Sequence, residues 1–213
     1  MELIFLNESD AESISEYIHD MWVDTYAPVV RGGRQHAEDI FDDWVGPGRI
    51  RKDMSMGHFY AYPVQNGQVL GLVSAGKEGE DLFISKVYIA PEYRGEGYGS
   101  EAMKLVLDYG RDRACKRAVL EVNPKNESAK KFYAELGFAK IGIHEYEAGG
   151  YTDLMAVDLR RPSVVENHSF LSIITSITFP PPTVMTALYP SLAGPGLTKT
   201  VPSISLHPMA SWI

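Results

Sequence analysis

Between Val87 and Ser100 the chain runs Val87-Tyr88-Ile89-Ala90-Pro91-Glu92-Tyr93-Arg94-Gly95-Glu96-Gly97-Tyr98-Gly99-Ser100. An apolar, β-branched run stops at a proline and passes through three closely spaced glycines. It then takes on helical character. Glycine adopts positive φ without steric penalty and lets backbone approach a ligand closely. A helix starting here would aim its first N–H groups, and the positive end of its dipole, into the bend. Strand, glycine bend and helix start therefore predict an α/β fold with a site for phosphate or pyrophosphate.

Two familiar glycine loops do not fit. A Walker A loop needs Gly-Lys-Ser/Thr, whereas Gly99 is followed by Ser100 and Glu101. A dinucleotide fingerprint places its first glycine directly after the strand of an early βαβ unit. Here Pro91 to Arg94 intervene.

Around the bend, patterning sets out a single mixed sheet. Leu3 to Leu6 suits a short strand, and Ser9 with Glu12 has capping-box spacing for a helix whose apolar face is Ile14, Ile18, Met21 and Trp22. A second helix is expected from Arg34 to Trp44, with Gly46-Pro47-Gly48 closing that unit. Gly57 to Val64 and Val69 to Ala75 flank Asn66-Gly67, a strong hairpin signal. Leu82 to Ile89 is the strand that enters the bend, and Tyr98 to Arg113 the helix that leaves it. A strand from Arg117 to Asn123 and a helix from Asn126 to Leu136 follow, the helix stopped at Gly137. Two strands, Phe138 to Glu147 and Tyr151 to Leu159, surround Gly149-Gly150.

At Pro162 the character changes. From Arg161 onward, eight of the 13 prolines gather and charge almost vanishes, with only Arg161, Glu166 and Lys199. The expected division is a folded domain over 1–160 and an irregular, disordered tail over 161–213, low in charge and rich in Pro, Ser and Thr. A partner-binding segment is the alternative use of that tail.

The net charge of −8 implies no basic face, so nucleic acid is not an expected partner, and cationic partners such as amines are favoured. One cysteine, Cys115, permits neither an intrachain disulfide framework nor a cysteine metal cluster and suits a reducing compartment. The N-terminal residues are too short and too acidic a stretch for a signal peptide, and no uncharged apolar run is expected to reach the length of about 18 residues that a membrane helix needs. A cytoplasmic location without membrane association is the expectation. His36, His58 and His144 show no ligand spacing, and no metal is assigned.

Arg94-Gly95-Glu96-Gly97-Tyr98-Gly99 fits the Arg/Gln-x-x-Gly-x-Gly/Ala signature of the GCN5-related N-acetyltransferase (GNAT) family. Downstream, Leu120-Glu121-Val122, Asn126, Ala129, Tyr133 and Gly137-Phe138 resemble that family's second block. The resemblance implies a mixed, mostly antiparallel central sheet flanked by helices, and acetyl-CoA as cosubstrate. It implies transfer of the acetyl group to a primary amine, on a small molecule or a protein N-terminus, by direct attack in a ternary complex. Backbone groups from Gly95 to Ser100 would hold the pyrophosphate, with Arg94 either helping or bridging the loop edge. Val87, Tyr88 and Ile89 would pair with the pantetheine arm and polarise the thioester carbonyl. Asn126 is placed as an N-cap and, by resemblance, as a contact of the CoA arm. Tyr133 would be the general acid, and Glu121 resembles the base of members that acetylate N-terminal alanines. Glu78, Glu80 and Asp81 are alternatives for the base. Trp22, Tyr26 and Trp44 are candidates for the acceptor wall, with packing against the sheet as their other role. Homodimers are frequent in the family. A non-catalytic acyl-CoA-binding regulatory module is the rival reading.

Overall fold

The computed structural model describes residues 1–146 and 150–160. The expectations for 161–213 and the centre of the Gly149-Gly150 turn lie outside them. The chain forms β1 (Glu2–Phe5), α1 (Ala11–Tyr26), α2 (Gly33–Val45), α3 (Pro47–Ser55), β2 (His58–Gln65), β3 (Gln68–Val69), β4 (Gly71–Glu78) and β5 (Asp81–Ile89). After the bend come α4 (Tyr98–Asp112), β6 (Arg117–Val122), α5 (Glu127–Glu135), β7 (Ala139–Glu145) and β8 (Tyr151–Asp158). The strands make one sheet in the order β1-β2-β4-β5-β6-β8-β7, with β3 paired to β2. Every pairing is antiparallel except β5 with β6. The expected mixed, mostly antiparallel sheet flanked by helices is the observed one.

Two local expectations are corrected. The capping box sits at Asn7 and Asp10, whose side chains bond reciprocally across a 3-10 turn over Glu8–Asp10, and not at Ser9 and Glu12. An asparagine accepts as well as a serine, and here it is two residues nearer β1. Gly46-Pro47-Gly48 does not close the helical unit. Pro47 occupies the first turn of α3, where its missing N–H costs nothing and its fixed φ is already helical.

Alternation along the strands divides the core between the two faces of the sheet. Phe59, Val73, Leu82, Ile84, Leu120 and Val122 pack with Met103 and Val106 of α4. Tyr60, Leu72 and Ala90 pack with Ile14, Ile18, Trp22, Phe41 and Ile50 of α1, α2 and α3. Each fully buried Leu, Ile or Met of these clusters contributes about 1.5–3 kcal/mol relative to exposure.

The central pairing is interrupted where it matters for a ligand. β4 and β5 are in register from Gly71↔Ile89 to Ser74↔Lys86, and then Ala75 faces Ile84, so Ser85 is an extra residue on β5. The bulge is pinned by the Ser85 hydroxyl, which donates to the Ser74 carbonyl at 3.2 Å and lies 3.0 Å from the Ser74 hydroxyl. On its other side, β5 pairs with β6 only from Asp81↔Arg117 to Ile84↔Leu120. Bulges bend a strand and end pairing locally. Beyond Ile84 the two strands part, while β6 stays paired to β8 as far as Val122↔Asp153.

Candidate active site

The parting of β5 and β6 opens a cleft of about 880 Å³. Lys86 and Tyr88 line it from the face carrying α1 to α3, joined by Asp24, Thr25, Tyr26 and Pro28 of the α1–α2 region. Val87 and Ile89 border the α4 face, with Gly95, Gly97, Gly99, Ser100, Asn126, Phe132 and Tyr133. Glu121 alternates with Leu120 and Val122, both in the α4-side core, and so points to the α1 side. One cleft thus runs through the sheet and meets both faces.

The glycine bend builds one end of it. A 3-10 turn over Pro91–Tyr93 leads to Arg94, whose Nε donates to the Ile89 carbonyl at 2.8 Å. The guanidinium thereby ties the bend to the end of β5, in place of the loop-edge salt bridge considered as one of its roles. Gly95 and Gly97 have φ of 84° and 83°, and Gly97 is the N-cap residue of α4. The N–H groups at the very start of α4 lack the usual acceptor one turn back, although that of Ser100 donates to the Gly97 carbonyl at 3.0 Å, and with the dipole they favour an anion. Of the predicted cradle, Arg94, Gly95, Gly97, Gly99 and Ser100 border the cleft, whereas Glu96 and Tyr98 do not. These groups, with the strand edge of β5 left unpaired by β6, suit a ligand carrying a pyrophosphate and an extended amide arm.

Asn126 accepts from the Ala129 N–H at 3.0 Å through Oδ1 and so caps α5. It also borders the cleft. Two turns on, Tyr133 packs against Phe132 and Phe138, with ring centroids 5.3 and 5.8 Å away. Burial, and then the neighbouring Tyr26, pushes the Tyr133 hydroxyl well above the ordinary tyrosine range. Burial raises the Tyr26 and Tyr88 hydroxyls too, and each phenol feels the other as a neighbour. A cluster of protonated phenols therefore lies at the point where the strands part.

Glu121 is anchored on both oxygens. His144 Nδ1 lies 2.8 Å from Oε1, while Oε2 accepts from the Tyr146 hydroxyl at 2.5 Å and the Thr152 hydroxyl at 2.8 Å. Burial, followed by the bond to Glu121, drives the Tyr146 hydroxyl far up. Sequence reading missed His144, Tyr146 and Thr152 as partners because the signal lies in pairing. Thr152 is the cross-strand neighbour of His144, and Leu154, which faces Glu121, shares its side of the sheet. The alternative carboxylates do not reach the cleft. Glu78 pairs with His58 at 3.2 Å, Glu80 with Lys116 at 2.6 Å, and Asp81 with Arg117 at 2.6 Å.

Of the proposed acceptor wall, Tyr26 borders the cleft. Trp22 is 4% exposed and stacks behind Tyr26 at 4.4 Å, and Trp44 packs on the α1–α3 core. Both tryptophans take the packing role. Lys86 also went unnoticed in the sequence. Its Nζ sits 3.6 Å from Asp53 Oδ2, which accepts from the Tyr60 hydroxyl at 2.9 Å, while Arg49 Nε donates to Asp53 Oδ1 at 2.8 Å. Desolvation lowers the Lys86 pKa despite that carboxylate. Among the described residues no helix is long and apolar enough to cross a membrane.

The model of the acetyltransferase (GNAT) family matches residues 15–138. An uncharacterised N-acetyltransferase of Mycobacterium bovis is 32% identical over 87 residues, which are 40% of this chain and 56% of that protein. The thialysine N-epsilon-acetyltransferase of Bos taurus is 35% identical over 60 residues, 28% of this chain and 35% of that one. The chain thus spans about half the length, or less, of these curated relatives. Among solved structures, the PaiA N-acetyltransferase of Thermoplasma acidophilum, in complex with coenzyme A, superposes with a TM-score of 0.60 at 15% identity. That match covers 74% of this chain and 99% of the other, a likeness of fold.

Proposed function

The chain belongs to the acetyltransferase (GNAT) family, and from that premise we propose that it is an acetyl-CoA-dependent N-acetyltransferase acting on a primary amine. The amine is borne by a small molecule or a protein N-terminus, and it attacks directly within a ternary complex. The observation that carries this reading is the single cleft through the sheet. It has an anion cradle and a buried tyrosine on the α4 face and an anchored carboxylate on the α1 face. Acetyl-CoA would supply the activated thioester. The first turn of α4 and Gly95 to Ser100 hold its pyrophosphate, and the unpaired edge from Val87 to Ile89 takes up its arm.

Glu121 accepts the proton of the attacking amine, so that the nitrogen lone pair can bond to the thioester carbon. A backbone N–H of the Val87–Ile89 segment stabilises the developing oxyanion. Tyr133, kept protonated by burial, donates to the sulfur as the carbon–sulfur bond breaks. Tyr26 forms part of the acceptor wall. The bovine relative's name points to an amino-acid side-chain amine as one class of acceptor to test.

The decisive experiment measures free thiol released from acetyl-CoA in the presence of polyamines, amino acids, aminoglycosides and N-terminal peptides. Amine-dependent release supports the reading. Acetyl-CoA binding by calorimetry with no turnover on any acceptor would instead favour a non-catalytic acyl-CoA-binding module.

A further inference from the structure

A strand carboxylate that merely faced solvent would not need three side-chain partners. A carboxylate offers about four acceptor positions. Tyr146 and Thr152 occupy Oε2, at 2.5 and 2.8 Å, and their own hydroxyls are 3.1 Å apart. His144 Nδ1 lies beside Oε1, at 2.8 Å, and is donor or acceptor there according to its tautomer. The position left over is therefore on Oε1, the oxygen that His144 already touches.

From this arrangement we propose that His144 is the proton outlet of the acetyl-transfer site, and that Tyr146 and Thr152 position Glu121 for the hand-over. The inference rests on Glu121 being the base in the function proposed above. His144 does not border the cleft and acts only through Glu121. It keeps 22% of its side-chain surface open to solvent, compared with 15% for Glu121. Histidine is the side chain whose charge changes near neutrality, which suits it to carry a proton between a carboxylate and water.

The step balances. The amine N–H bond breaks as a bond forms to Oε1. The neutral ring starts as the Nε2–H tautomer, with the Nδ1 lone pair facing Oε1; the O–H bond then breaks as Nδ1 takes the proton and the ring becomes imidazolium. Loss of the Nε2 proton to water leaves a neutral ring, and solvent exchange restores the starting tautomer. The titratable groups facing His144 are Glu121 of β6, Tyr146 in the residue after β7, and Tyr26 of α1 through its field on Glu121 and Tyr146. Glu145 and Tyr151 are cross-strand partners that alternate onto the other face, as does Asp153, which is ion-paired to Lys140 at 2.6 Å.

The test compares thiol release by the wild type, His144→Ala, His144→Asn and Glu121→Gln at fixed pH and ionic strength, with and without added imidazole. His144→Ala should lose turnover by about a hundredfold and recover much of it with imidazole, while the wild type ignores imidazole. His144→Asn keeps an amide donor for Glu121 but cannot carry a proton, and should be as slow as His144→Ala. A purely structural role predicts the reverse: near-normal turnover for the asparagine variant and no response to imidazole in the alanine variant. Either result, or wild-type turnover in His144→Ala, overturns the relay. Full turnover in Glu121→Gln removes the base and the relay with it. A silent wild type removes acetyl transfer altogether, so failure of the broader reading appears in a different protein from failure of this one.

Discussion

The buried cluster around Asp53 gives the sharpest stability prediction. Asp53 is 3% exposed and anchors α3 to the sheet by accepting from Tyr60 and Arg49 and facing Lys86, itself 9% exposed. Asp53→Ala leaves Lys86 a buried charge with Arg49 as its charged neighbour, a change that costs about 3–5 kcal/mol. For a domain of this size, 1 kcal/mol shifts Tm by about 2–4 °C, so a fall of roughly 10 °C is expected. Lys86→Met leaves Asp53 held by Arg49 and Tyr60 and should cost less than about 1 kcal/mol. The double variant should recover about 2 kcal/mol of the loss. Urea unfolding followed by the fluorescence of Trp22 and Trp44, which sit in the adjacent helical layer, reads all four proteins. The pH dependence has a definite sign. Burial lowers the folded-state pKa of Lys86 below its unfolded value. Between those two values the unfolded chain binds more protons, so stability rises with pH. Asp53 opposes the lowering, and its removal widens the window towards neutrality. The deficit of Asp53→Ala should therefore shrink as pH rises from neutrality towards the ordinary lysine value. Equal stability of Asp53→Ala and wild type, or a larger loss in Lys86→Met, would refute the argument.

Four further outcomes follow from the cleft. Tyr133→Phe should lower kcat by about a hundredfold with acetyl-CoA affinity by calorimetry nearly unchanged; an unaltered rate would take Tyr133 out of the mechanism. Because burial raises its pKa, Tyr133 stays protonated through alkaline pH, and the wild-type rate should show no falling limb from this group below pH 10. Gly97→Ala forces an L-residue to φ 83°, costing about 1–2 kcal/mol. Since the added Cβ meets no protein atom within 4 Å, any loss of acetyl-CoA affinity beyond that reports on the ligand's approach. Asn126→Ala removes the α5 cap, worth about 1 kcal/mol in thermal melts, and calorimetry will show whether it also weakens acetyl-CoA binding.

What the sequence determined by itself is what depends on short-range chemistry. Glycines at 95, 97 and 99 after an apolar run require a bend and a helix start whatever surrounds them. Period-2 and period-3.6 patterning placed every helix and strand except the two-residue β3, which was merged with β4, and α3, where a proline that can begin a helix was read as a stop. Tertiary structure decided the rest, because those features depend on which strands become neighbours. The extra residue at Ser85 is defined only against β4, and the opening beyond Ile84 only by where β6 stops pairing. Resemblance marked Glu121 as a base, but nothing local in the sequence named its partners. Pairing of β6 with β8, and of β8 with β7, brings Thr152 and His144 to it and Tyr146 alongside, from 23 to 31 residues away in the chain. Lys86 drew no notice in the sequence, and only the packing of α3 over Tyr60 buries it against Asp53. A local motif can specify where an anion sits, whereas the partners of a buried charge are set by long-range packing.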